Sequence, residues 1–152
     1  MIEESSYKVF EKFRFQYFHR LFRLMRERNT PLSAMEVFSL GIIEMLQSPT
    51  IGQFADFLNI SQSNATYKVS SLISKGYVIR QNSEKDRREY HLVLSDKYHE
   101  SVKLLTEYEH LVFERIRDRF SDEELAVLDR IMTTINDELM PECDVIFPPK
   151  KQ

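Results

Sequence analysis

The sequence predicts a mainly α-helical fold with a small β-hairpin, and three observations carry that prediction. Apolar residues recur at spacings of three and four along most of the 152 positions. Only three Gly and five Pro interrupt them, which favours long helices with short connections. Between residues 77 and 94 the period becomes that of extended chain, around a stretch from Asn82 to Arg88 without an apolar residue. The length suits one domain, or two small lobes sharing long helices.

Each element has its own signal. Phe10, Phe13, Tyr17, Leu21 and Leu24, joined by Phe18, Phe22 and Met25, predict a helix over residues 6–28 with a broad aromatic face, ended by Pro31. Three helix starts are written as capping boxes: Ser33 with Glu36, Thr50 with Gln53 and Ser121 with Glu124. The first opens a helix to about Leu46. After Pro49 comes a short helix over residues 51–58, which Asn59 can end in the left-handed conformation. Ser61 caps a helix to Lys75 with the inner stripe Ala65, Val69, Leu72 and Ile73, and Gly76 stands where a helix-ending glycine belongs. Tyr77 to Ile79 and Tyr90 to Leu94 are the two strands. Two long helices follow, over residues 96–119 and 122–140. The last carries Leu125, Leu128, Met132, Ile135 and Leu139 as a seam that needs a partner helix, and the one before it has Val102, Leu105, Tyr108, Val112 and Ile116 on one face. Residues 6–30 and 96–140 are therefore expected to form a helical dimerisation lobe around a central lobe of residues 33–94.

Composition narrows the function. The single Cys143 rules out an internal disulfide framework. The opening residues lack a basic stretch followed by an apolar run, and no segment approaches the ~18 uncharged apolar residues of a membrane span. A cytoplasmic protein is expected. His19, His91, His99 and His110 form no ligand pair at metal-binding spacing, and there is no phosphate-binding glycine loop and no nucleophile motif. The expectation is therefore no enzyme, no metal and no cofactor. Lys8, Lys12, Arg14, Arg20, Arg23, Arg26 and Arg28 on the aromatic first helix raise a membrane-surface reading, but a dimer core accounts for the aromatics more simply.

The charge pattern points elsewhere. Acids make up 24 of the 152 residues, yet none falls between Phe57 and Ser83. Residues 57–90 carry +3 and the remainder −6, which confines attraction for nucleic acid to one side. The order helix, short helix, tight turn, polar-faced helix and hairpin is that of a winged helix-turn-helix. Its second helix fits the major groove of DNA, where short polar side chains reach base edges. Ser61, Gln62, Ser63, Asn64, Thr66, Tyr67 and Lys68 are the outward candidates.

These residues carry a family resemblance. The run from Ile60 to Val69, then Leu72, Lys75-Gly76-Tyr77-Val78 and Arg80, resembles the recognition helix and wing entry of the MarR family of bacterial transcription regulators. Asp86-Arg87-Arg88 is similar to the Asp-x-Arg signature of the family's wing, and Leu92-Val93-Leu94-Ser95 to the end of its second strand. The chain departs from the pattern at Asp96-Lys97-Tyr98-His99, where the family often has Gly. The resemblance implies a homodimer on a pseudo-palindromic double-stranded operator, most often as a repressor, with recognition helices in successive major grooves. It implies Arg88, or Arg87 in exchange, at the minor groove, and Asp86 orienting the wing. It also implies an effector pocket, for which Phe15, Phe18, His19, Phe22 and Phe38 are the candidates, although core packing explains them as well. A rival reading is a winged-helix protein-interaction module without operator specificity.

Overall fold

The computed structural model describes residues 1–26, 32–84 and 88–143. Six helices and one hairpin follow in the expected order: α1 (Ile2–Arg26), α2 (Ala34–Met45), α3 (Ile51–Leu58), α4 (Gln62–Ser74), β1 (Val78–Asn82), β2 (Tyr90–Leu94), α5 (Asp96–Arg119) and α6 (Asp122–Glu138). A 3-10 turn, Pro141–Cys143, comes after them. Contacts gather the chain into two compact units, Phe18–Leu105 and Met1–Tyr17 with the chain from Thr106 onward. Helices α1 and α5 contribute to both.

The central unit contains the packed core. Leu40, Ile43, Phe54, Ala65, Val69, Leu72, Tyr77, Val78 and Leu92 are buried almost completely, drawn from α2, α3, α4 and the hairpin. The inner stripe of α4 is the expected one, with Ile73 at its margin. Burying such side chains stabilises by roughly 1.5–3 kcal/mol each, and this is where the recognition-type helix gains its anchorage.

Local chemistry fixes the ends of the elements. In all three capping boxes the hydroxyl accepts from the backbone N–H three residues on, and the Glu or Gln accepts in return: Glu36 from Ser33 N–H at 2.7 Å, Gln53 from Thr50 N–H at 2.9 Å, Glu124 from Ser121 N–H at 2.9 Å. Asn59 is left-handed, with φ 52° and ψ 48°, so that Ile60 N–H reaches Ala55 O at 3.1 Å and the chain turns at once into α4. Gly76 has φ +80°, and the paired bonds Gly76 N–H to Ile73 O and Tyr77 N–H to Leu72 O end α4.

The bounds of α1 and β1 differ from the sequence reading. Helix α1 begins at Ile2 rather than Ser6. Strand β1 runs from Val78 to Asn82, not Tyr77 to Ile79, because Tyr77 is taken into the core directly after the glycine turn. Between α2 and α3, Gln47 and Ser48 both have positive φ, and this turn is pinned to the hairpin. Leu92 N–H donates to Pro49 O at 2.8 Å, His91 Nδ1 lies 2.9 Å from Ser48 O, and Thr50 forms a bridge with His91. The antiparallel register, Val78 opposite Leu94 through Asn82 opposite Tyr90, is thereby tied to the helices.

The departure at Asp96-Lys97-Tyr98-His99 does not interrupt α5. Ser95 Oγ donates to Gly76 O at 2.6 Å and accepts from Tyr98 N–H at 3.3 Å, so one hydroxyl starts α5 and also holds the turn that ends α4.

The other unit is built differently. Among its described residues none is buried. Phe13 and Tyr108 meet edge to face at 6.1 Å, while Phe113, Phe120, Val127, Leu128, Ile131, Met132 and Leu139 remain exposed. Of the seam read on α6, Leu125 and Ile135 are half-buried and Leu128, Met132 and Leu139 are exposed.

Replacing Gly76 by Ala forces a side chain into the left-handed region. The nearest atom to the added Cβ would be Lys97 Cδ at 3.7 Å, so the cost is conformational rather than steric. It should lower stability by about 1–2 kcal/mol in a denaturant titration.

Candidate nucleic-acid interface

Helix α4 presents its polar residues in two ways. Ser61, Gln62, Ser63, Asn64 and Tyr67 are exposed, Tyr67 at 80% of its full area. Thr66 and Lys68 are half-buried along the edge of the same face. The opposite side is the core stripe, so the polar face is directed outward by the packing of Ala65, Val69 and Leu72.

The hydroxyls at the start of α4 are pre-ordered by local bonds. Ser61 Oγ accepts from Asn64 N–H at 3.2 Å and lies 3.2 Å from Ser63 Oγ. Thr66 Oγ1 donates to Gln62 O at 2.8 Å and Ser70 Oγ to Thr66 O at 2.7 Å. No acid lies in the first turn. The partial positive charge of the helix start is thus uncompensated on the side a phosphate would approach.

A cleft of about 510 Å³ runs along α4 toward the start of α2, lined by Ser33, Met35, Glu36, Ser39, Tyr67, Lys68, Ser70, Ser71 and Ser74. Glu36 sits within it. Besides its capping role it accepts from Ser71 Oγ at 2.6 Å and from Lys75 Nζ at 2.8 Å on both carboxylate oxygens. Burial acts to raise its pKa. The Lys75 and Ser71 hydrogen bonds, the Ser33 N–H and the Lys75 charge together outweigh that, and hold it at about 2 against an ordinary 4.5.

In the hairpin, Arg80 stacks its guanidinium 4.7 Å above the Tyr90 ring, an ordering of a wing cation by cation–π attraction. Arg88 is exposed in the turn before β2. Asp86 and Arg87 lie outside the described residues. Among the described residues, no group of three His, Cys, Asp or Glu side chains could hold a metal ion, and no helix is long and apolar enough to cross a membrane.

Comparison with known proteins agrees with this geometry. The model of the MarR family matches residues 32–90, the span from the start of α2 to the first residue of β2. Over these residues the chain is similar to the MarR family. Among solved structures it is similar to Streptococcus pneumoniae FabT in complex with DNA, with 27% identity over 91% of this chain and 94% of that one, and a TM-score of 0.56. It shares its fold with the transcriptional regulator Tm0710 of Thermotoga maritima, at 20% identity, 89% and 92% coverage and a TM-score of 0.60. The same holds for a mutant of S. aureus MepR bound to an oligodeoxyribonucleotide, at 14% identity, 92% and 99% coverage and a TM-score of 0.52. No curated protein matches the chain.

The effector-pocket candidates divide between the two units. Phe18, His19, Phe22 and Phe38 belong to the central unit and Phe15 to the other, and all five are exposed in the single chain. Phe15 lines a cleft of about 300 Å³ with Lys8, Glu11, Lys12, Gln16 and Tyr108. None of the five is among the residues of the packed core.

Sequence reasoning found the outward face of α4 but missed Arg80 on Tyr90 and the Glu36–Lys75 pair. The first had a faint signal, since register places residues 80 and 90 near each other only once the hairpin is known. The second had none, because the partners are 39 positions apart.

The depressed pKa of Glu36 has a direct consequence for acid stability. Its folded value lies below its unfolded one, so its contribution is complete above about pH 4.5 and is lost as pH falls toward about 2. Over that window the Glu36→Gln variant should lose less stability than the parent when unfolding is followed at successive pH values.

Proposed function

We propose that this protein is a sequence-specific DNA-binding transcriptional regulator that acts as a homodimer on a pseudo-palindromic operator, as a repressor that an effector releases. The observation that carries this reading is the face of α4: acid-free, capped by Ser61, and exposing Gln62, Ser63, Asn64 and Tyr67 from a helix buried along its other side. The match of residues 32–90 to the MarR family model supports it, as do two structural relatives solved with DNA.

Affinity and specificity come from different atoms. Lys68, Arg88 and the helix start supply charge toward phosphates, which positions the duplex without reading it. Asn64 and Thr66 carry the acceptors and donors that distinguish bases. Arg88, with Arg87 beside it in sequence and Asp86 to orient the turn, suits a narrow minor groove, where negative potential is concentrated.

Dimerisation follows from the unit without a core. The stripe of Leu128, Met132 and Leu139 with Ile131 and Phe113 is apolar surface that a second copy of the same chain covers. Half-sites of such a dimer lie about 34 Å apart, so a shift of a few ångströms between the reading heads is enough to misalign one of them. That is the mechanism by which a bound effector would release the operator.

The decisive experiment is selection of bound fragments from the source genome with purified protein, followed by affinity across a salt series. A shared inverted repeat with a steep salt slope is expected. Salt-sensitive binding without preference would instead favour a winged-helix module that docks an acidic protein. On the selected fragment, Asn64→Ala and Thr66→Ala should each change base preference by about 1–3 kcal/mol per lost contact. Lys68→Ala should weaken all sequences alike and lower the salt slope by about one. Leu128→Asp should yield monomers in analytical ultracentrifugation, with loss of operator binding.

A further inference from the structure

Lys75 closes the last turn of α4 and is held from two sides. Its ammonium is taken by Glu36 on α2, while its carbonyl accepts from Lys97 Nζ on α5 at 2.7 Å. The Lys97 ammonium also lies 4.5 Å above the Tyr77 ring. Ser71, one turn earlier on α4, gives its hydroxyl proton to the same Glu36. Both partners of the ion pair are largely screened from water, with Glu36 retaining 15% and Lys75 30% of side-chain exposure.

Directional and non-directional forces play different parts here. The apolar contacts of Ala65, Val69 and Leu72 keep α4 on the core but tolerate small slides and tilts. A carboxylate that accepts two charge-assisted bonds from one ammonium and a third bond from a hydroxyl does not. From Lys75 back to Asn64 is eleven residues, about 16 Å of helix axis. A tilt of roughly 5° about the clamped end would therefore carry Asn64 by about 1.4 Å, more than a base-specific hydrogen bond tolerates.

We infer that Glu36 is a positioning residue for base reading: through Lys75 and Ser71 it sets the angle of α4 against α2, and with it the reach of Asn64 and Thr66. The inference rests on the reading of α4 as the DNA-contacting helix. Glu36 contacts no base in this scheme, and its carboxylate is already filled by the Ser33 N–H, the Ser71 hydroxyl and the Lys75 ammonium.

The test uses the full chain and two DNA fragments, the one selected from the genome and a scrambled fragment of equal length and composition. Glu36→Gln keeps an acceptor for Ser33 and Ser71 but removes the charge that holds Lys75; Lys75→Met removes the cation. Each variant is expected to lower the ratio of selected to scrambled affinity by about fivefold or more, with scrambled binding unchanged. The double variant is expected to fall no further than the singles, because both remove one interaction. A ratio unchanged in the folded single variants, or losses that multiply in the double, would overturn the inference. So would a Lys75→Met salt slope reduced by about one with an unchanged ratio, which marks Lys75 as a phosphate contact. Ser71→Ala, which removes one donor only, carries the same comparison if Glu36→Gln does not fold. A parent protein that prefers no fragment overturns the DNA reading and this inference together; a parent with preference and unaffected variants overturns this inference alone.

Discussion

A helix with one face left open to solvent has to be held in place by its other face and by its ends. Helix α4 meets this constraint with three small or medium apolar residues against α2, α3 and the hairpin, a Ser61 cap at its start and a glycine turn at its finish. Ala65 at the front of the stripe allows close approach to α3, and the left-handed Asn59 makes the intervening turn short enough for both helices to share one core. The rest of the central unit can be understood as the support this arrangement needs.

The support is polar where it has to be directional. Around the end of α4, Gly76 O accepts from Ser95, Lys75 O from Lys97, and Lys75 Nζ is taken by Glu36. At the far end of α2, Glu44 accepts from the Tyr98 hydroxyl at 2.8 Å. Helix α2 is thus tied near its start to α4 and near its end to α5, by bonds that require particular distances rather than contact alone. Tyr77 shows the complementary case. Its ring is wholly buried beneath Lys97, and its hydroxyl has no hydrogen-bond partner among the described residues, so packing and the overlying cation hold it.

The other unit shows what happens when amphipathic helices lack an inward side. Three helical segments rich in Leu, Ile, Met and Phe give no buried residue among those described, although the same residue types pack tightly in the central unit. Exposed apolar area of this extent is more than single soluble chains usually carry. A homodimer, as proposed, would supply the missing side and place two reading heads under one symmetry operator.

Much of this protein was determined by short-range sequence chemistry. The three capping boxes, Asn59 and Gly76 each specify a backbone event within a few residues, and all five occur where the sequence places them. The inner stripe of α4 and the seam of α6 are fixed by periodicity alone. What periodicity leaves open is which apolar stripe is buried inside the chain: that of α4 is, while Leu128, Met132 and Leu139 of α6 stay exposed. Tyr77 fell on the wrong side of that line, since a β-favouring residue after a glycine reads as strand until the core claims it. The Glu36–Lys75 clamp, Arg80 on Tyr90, and the double role of Ser95 join residues from separate elements. Only tertiary structure decides such pairs, because their strength depends on distances that no local rule sets.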